Sequence, residues 1–229
     1  MTHPTHPSGF RLGIYVYPGV EALEFAGPYG VFAVARRSDP GLGVFLLASS
    51  PLPVEAEAGL QVLPKRTLSE RPEMDALLVP GGPGAERETE NGELHALVAS
   101  LPETTLLASV GSGSWVYARM GLLDGRAATS RVEGDRNEDC ADGLVPIARL
   151  VQLAPGCHVR RARVVDAGRI VTAGGIASGV ELGLHLLRRA GHNETFVADV
   201  ARVLGHAGAY DLHRGDLLFE RNASGSADS

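Results

Sequence analysis

Residues 106–120 read LLASVGSGSWVYARM. The first five residues form an apolar run of strand length, GSGS interrupts it, and WVYARM resumes with helical character. A strand that bends sharply into a helix is the elbow on which many α/β enzymes mount a nucleophile. Here the corner is Gly111, which has no side chain. The stretch therefore indicates an α/β fold and asks whether the corner does chemistry or only keeps its shape.

The same alternation extends in both directions. Upstream, LGIYVY reads as a first strand, followed by a helix through PYGVFAVARR with Pro28 in its first turn, where the missing N–H is harmless. GVFLLAS is a second strand, and PVEAEAGLQVLPK, with Gly59 inside it, reads as a hairpin or an excursion at the sheet edge. MDALLVP is a third strand, ended by the PGGPG breaker of residues 80–84, and ERETENGELHALVASL a polar helix. Downstream, RARVVDAGRIVTAGG has two apolar runs joined at DAG, the pattern of a hairpin. VELGLHLLRRA and ETFVADVARVLG close the body as helices, the second capped by Asn193. Strands alternating with helices predict a mostly parallel, doubly wound sheet covered on both faces. Neither repeats nor a linker divide the chain. Residues 1–9 read as a flexible start, 10–215 as one domain and 216–229 as a small, polar, disordered tail.

Composition narrows the function classes. The 229 residues are 44% hydrophobic and 21% charged, with a net charge of −6. That balance suits a globular core and argues against a nucleic-acid partner, which calls for a basic face. The arginines of HVRRARVV read as one solvated strand edge. No apolar run approaches membrane-spanning length, and MTHPTHPSGF lacks a secretion pattern, so the expectation is a cytoplasmic chain with no membrane partner. In that setting Asn222-Ala223-Ser224 is an acceptor sequence without consequence. Two cysteines, Cys140 and Cys157, make no disulfide framework, and no His, Cys and acidic residues share metal-ligand spacing. No metal or cofactor is expected.

In an open parallel sheet, ligands sit beyond the carboxyl ends of the strands. Three segments should meet there: EALEFAGP after the first strand, PGGPG after the third, and GSGS after LLASV. They offer the Glu24 carboxylate, unobstructed backbone N–H groups at Gly81 and Gly82, and a helix start at Ser112 and Gly113 that attracts anions. Each also has a plain structural role, since glycines serve tight turns and an acid near a helix start favours the helix dipole.

PGVEALEFAGPYGVF, LLVPGGPG, LLASVGSGSWVYARMGLLDGRAATS and GRIVTAGGIASGVELGLHLL, in this order, resemble the ThiJ/PfpI superfamily. The resemblance covers residues 10–215 and is closest to the isonitrile hydratases and the related amidase-like domains of some transcription regulators. AGAYDLHRGDLLF resembles the hydratases' C-terminal extension, and no helix-turn-helix module follows it. The resemblance implies a class I glutamine-amidotransferase-like, flavodoxin-like fold and a homodimer, to which apolar helices such as WVYARMGLL could contribute. It matches Gly111 to the family's cysteine nucleophile, Ser112 to the hydrogen-bonding residue after it, and Glu24 to the acid beside it. Gly82 matches the glycine that lends an N–H, and Arg131 falls where many relatives carry a histidine.

Glycine neither attacks nor ionises, so covalent catalysis at Gly111 is impossible. Ser112 lacks a base nearby in sequence, and the guanidinium of Arg131 has no lone pair with which to accept a proton. Cys140 has acidic neighbours that disfavour a thiolate. Cys157 and the adjacent His158 point to opposite faces of a strand, and His185 reads as a packed helix residue. Three readings stay open. The first is a non-catalytic protein that holds a small polar or anionic ligand through Gly81, Gly82, Gly111, Ser112 and Arg131. The others are a cysteine-independent hydratase, hydrolase or lyase with Glu24 as general base, and a structural or partner-binding subunit.

Overall fold

The computed structural model describes residues 9–132, 144–213 and 217–219. Cys140, the start before Gly9 and the Asn222-Ala223-Ser224 sequence lie outside the described residues. In chain order the elements are β1 (Arg11–Tyr15), α1 (Ala22–Ala35), β2 (Gly43–Ala48), β3 (Val54–Glu55), β4 (Gln61–Val62), β5 (Arg66–Thr67) and β6 (Ala76–Val79). Then come α2 (Ala85–Glu88), α3 (Gly92–Ser100), β7 (Leu106–Val110), α4 (Ser114–Arg119), β8 (Ala127–Ala128) and α5 (Pro146–Leu153). The chain continues with β9 (His158–Val159), β10 (Val164–Ala167), β11 (Ile170–Ala173), α6 (Ser178–Arg189), α7 (Glu194–Val203), α8 (Ala207–His213) and β12 (Leu217–Phe219).

The main sheet runs β12-β10-β11-β7-β6-β1-β2-β5. Within it, β2-β1-β6-β7-β11 is parallel throughout and gives the 2-1-3-4-5 strand order of flavodoxin-like folds. Buried on both faces, β6 (ALLV) and β7 (LLASV) read as unbroken apolar runs rather than alternating ones. α1, α6 and α7 pack on one another, as do α2, α4 and α5, so helices cover the sheet on both sides. The hairpin expected at DAG is the antiparallel β10–β11 pair. The excursion expected near Gly59 is the β3–β4 pair, a separate two-stranded sheet.

Four boundaries differ from the sequence reading. α1 begins at Ala22, which leaves Pro28 in mid-helix rather than in the first turn. Proline cannot donate to the Glu24 carbonyl one turn earlier. Packing against α6 compensates, because Gly179 and Gly183 let the two helices approach closely: a Cβ at Gly179 would lie 3.1 Å from the Pro28 ring, and one at Gly183 3.0 Å from Val31. The polar helix divides into α2 and α3, since Asn91 accepts from the N–H groups of Glu93 and Leu94, both at 3.1 Å, and starts a new helix. α4 ends at Arg119 and buries Trp115, Val116 and Tyr117 in its own core, so these side chains are not offered to a partner. Finally, Leu217–Phe219, expected in a disordered tail, pairs with β10 as an edge strand.

Arg160 and Arg161 are solvated as expected, whereas Arg163 pairs with the buried Glu181 at 2.5 Å. Gly183→Val should test the α1–α6 contact. With no room beside Val31, the variant is expected to lose about 1–3 kcal/mol of stability, read as a lower urea midpoint at unchanged m-value.

Candidate functional site

The loops leaving β1, β6 and β7 meet at the carboxyl end of the sheet, where β1 and β6 form the switch point of the strand order. Their contact is close. A Cβ on Gly81 would lie 2.4 Å from Ser112 Oγ and 2.8 Å from Glu24 Oε2. A side chain there would push the three segments apart.

Gly111 follows β7 with φ +55°, a conformation that L side chains adopt only under strain, and opens a 3-10 turn into α4. Its carbonyl accepts from Ser130 Oγ at 2.8 Å and from Ser114 Oγ at 3.0 Å. These two buried hydroxyls fix the corner from the α4 side and from the segment after β8. Gly113 touches the neighbouring strand end so closely that a Cβ would lie 2.0 Å from the Val79 carbonyl oxygen.

Glu24, in the first turn of α1, is 2% exposed and points into this corner. Its Oε2 accepts from the Gly81 N–H at 2.6 Å. A Cβ on Gly111 would come within 2.4 Å of Oε1, so the carboxylate occupies the space a side chain at position 111 would need. Burial pushes the Glu24 carboxyl from 4.5 up to about 7, although the Gly81 N–H and the charge of Arg131 both oppose the rise; Glu21 adds to it slightly. Arg131 is half-buried after β8, and its backbone carbonyl accepts from the Ile147 N–H at 2.9 Å, tying α5 to the site.

The structure thus brings Glu24, Gly81, Gly82, Gly111 and Ser112 together and sets the charge of Arg131 against Glu24. It also corrects one expectation: the N–H groups of Gly81 and Gly82 are not unobstructed. Gly81 donates to Glu24, and Gly82 donates to Ser112 Oγ at 3.1 Å, because a closely packed corner satisfies its own buried donors. Ser112 accordingly links two loops and does not cap α4 with its side chain.

Two residues escaped the sequence reading. Tyr17 is buried and donates to the Pro80 carbonyl at 2.7 Å, bracing the loop that carries Gly81. Burial, and then the Glu24 charge, disfavour its phenolate. Ser130 reads as one more small polar residue in ATSRV; the signal available was its place two residues after a buried strand. His185 is packed as expected, although it also contacts Asp166 at 2.6 Å, at the end of the sheet away from Gly111. Arg189 bonds both oxygens of Asp166, at 2.8 and 2.7 Å. Burial alone would raise the Asp166 carboxyl, but the bonds from His185 and Arg189 outweigh it and hold the group below its ordinary range. Cys157 sits between α5 and β9, apart from these loops. Among the described residues, no cluster of three or more His, Cys, Asp or Glu side chains is placed to hold a metal ion, and no helix is long and apolar enough to cross a membrane.

An open 2-1-3-4-5 sheet with a carboxylate facing the β7 elbow defines a flavodoxin-like α/β protein with a candidate site at the strand ends. Residues 11–189 match the DJ-1/PfpI family, and the chain belongs to it. It is 30% identical over 177 residues to the isonitrile hydratase of Pseudomonas putida, a match covering 77% of this chain and 70% of that enzyme. It is also 30% identical over 137 residues to the HTH-type transcriptional regulator GbdR of Pseudomonas aeruginosa, covering 59% of this chain but only 34% of the regulator. A ThiJ/PfpI family protein from Pseudomonas syringae shares the fold, with a TM-score of 0.70 at 24% identity over 96% of this chain and 79% of that one.

The Glu24 geometry contributes to the pH dependence of stability. Between pH 4.5 and about 7 Glu24 holds a proton in the folded chain that it releases in the unfolded one, so its contribution to stability falls as pH rises through this window. Glu24→Gln should remove that slope. The variant is expected to gain on the order of 3 kcal/mol over the parent at pH 8 and nothing below pH 4.5, measured by urea denaturation across pH.

Proposed function

We propose that this chain is an isonitrile-hydratase-like member of its family that binds a small polar or anionic molecule without forming a covalent bond to it. In this reading Gly111 stands where family enzymes hold their cysteine. The observation that carries the reading is the Glu24 carboxylate lying in the volume of the missing side chain, 2.4 Å from where a Cβ would sit. The corner keeps its acid and lacks the nucleophile. Arg131 supplies the positive charge for a polar ligand, and Ser112 and the glycine loop form the floor. DJ-1/PfpI relatives are commonly dimeric, and a homodimer is part of the proposal.

A second reading has its own support. A buried carboxyl with a pKa near 7 is half-protonated at neutral pH and suits general acid–base work on a bound water or substrate. Glu24 would then take a proton from water as the oxygen attacks an electrophilic carbon, and return it to the product.

An alkyl isonitrile and its N-alkylformamide separate the two. The non-covalent reading expects both compounds to raise the melting temperature, with no formamide formed above the background rate and no adduct by mass spectrometry. Steady turnover by the parent chain would overturn it, and abolition of that turnover in Glu24→Gln would establish the second reading. Gly111→Cys is expected to form a thiol adduct with the isonitrile. The new side chain must displace the carboxylate and accept a positive φ, at a stability cost of about 1–3 kcal/mol.

A further inference from the structure

Opposite the Gly111 corner, at the amino end of the parallel strands, the starts of β1, β2 and β5 border a groove of about 460 Å³. Arg11, Arg36, Lys65 and Arg66 line it together with Glu70 and Glu73. In a chain of net charge −6, that sets four cations against two acids. Both acids are engaged: Glu73 pairs with Arg11 at 3.1 Å and Glu70 with Arg66 at 3.4 Å. Among the described residues, no acid pairs with Arg36 or Lys65.

Local packing holds the groove in shape. A Cβ on Gly43 would lie 3.3 Å from Arg11 Cγ, so the Arg11 stem crosses the start of β2 where glycine leaves it room. The Arg11 N–H donates to Asp75 Oδ2 at 2.7 Å, which ties β1 to the segment before β6. Arg11, Pro72 and Glu73 also border a second hollow of about 540 Å³, to which Leu97, Leu101 and Pro102 bring apolar surface. Arg71 lines this hollow with φ 45°, in the left-handed region that bulky side chains rarely adopt. Backbone strain of that kind gathers at ligand sites.

We propose that these adjoining cavities bind a small phosphate monoester, with its phosphate among Arg11, Arg36, Lys65 and Arg66 and its organic part against Leu101 and Pro102. Two cations without acidic partners match the charge of such an ester, which is close to a dianion at neutral pH. Guanidinium forks also match phosphate oxygens in geometry, and a carboxylic acid would bring only half the charge. Each volume is that of a small-molecule cavity. A nucleic-acid strand would instead need a broad basic face, whereas these cations line one groove. The site is separate from the Gly111 corner, which lies at the other end of the sheet, and does not depend on the function proposed for it.

Lys65 is the only lysine in the chain, which makes its amine a reporter of occupancy. Phenyl phosphate, used as the probe on the full chain, is expected to shield Lys65 from acetylation by an N-hydroxysuccinimide ester, read by peptide mass spectrometry. Benzoate and phenol at equal concentration and ionic strength are expected to leave it reactive. In calorimetry, Arg36→Ser and Lys65→Ser are each expected to weaken phenyl phosphate binding by about 10-fold at unchanged circular dichroism. Glu73→Gln, which frees Arg11 from its acid, is expected to tighten it by about 3-fold, a gain that loss of structure would not produce. Absence of shielding, or equal shielding by benzoate, overturns the proposal. So does binding that survives Arg36→Ser and Lys65→Ser but is lost in Arg131→Ala, which would place the anion at the Gly111 corner instead.

Discussion

A carboxylate buried against a backbone N–H, Glu24 Oε2 on Gly81 at 2.6 Å, is the interaction around which the carboxyl end of the sheet is arranged. An ionised acid in such a place loses its hydration, and one N–H with a neighbouring guanidinium recovers part of what is lost. The balance leaves the group near neutrality. The packing also explains the small residues. A Cβ on Gly81 would strike Ser112 and Glu24, and one on Gly111 would strike Glu24. Bare backbone at these two positions lets one acid from α1 reach both of the other loops.

That reach depends in turn on how α1 is seated. Pro28 takes an N–H from the middle of the helix, and the glycines of α6 let that stretch lie against a second helix. The helix therefore holds its line for a tertiary reason where its local sequence favours a break. On the other side of the corner, the hydroxyls of Ser114 and Ser130 share the Gly111 carbonyl, and Tyr17 holds that of Pro80. Each loop is anchored by a side chain from another element, which holds the geometry of the corner.

Much of this was legible in the residues. The apolar runs of β6 and β7 are of strand length and are bounded by glycine and proline, the pattern of strands covered on both faces, and glycine at the strand ends marked where loops had to turn tightly. Glu24, Gly81, Gly111 and Ser112 stood out because polar or side-chain-free residues interrupted apolar sequence at the carboxyl ends of strands. Pro28 misled, because a proline scores as a helix start when only its neighbours in sequence are considered. Ser130 and Tyr17 carried no distinctive local pattern, since their roles consist of contacts to carbonyls 19 and 63 residues away in the chain.

By itself, the sequence determined the α/β fold class, the alternation of strands and helices along the chain and the absence of a nucleophilic side chain at Gly111, because periodicity and side-chain chemistry are local properties. Tertiary structure alone decided where the donors and acceptors of the corner go. The N–H groups of Gly81 and Gly82 could be counted from the sequence, but their satisfaction by Glu24 and Ser112 depends on three loops meeting within hydrogen-bond distance. The Glu24 carboxyl owes its rise to the same encounter, since burial is a property of the packed chain and not of any residue in it.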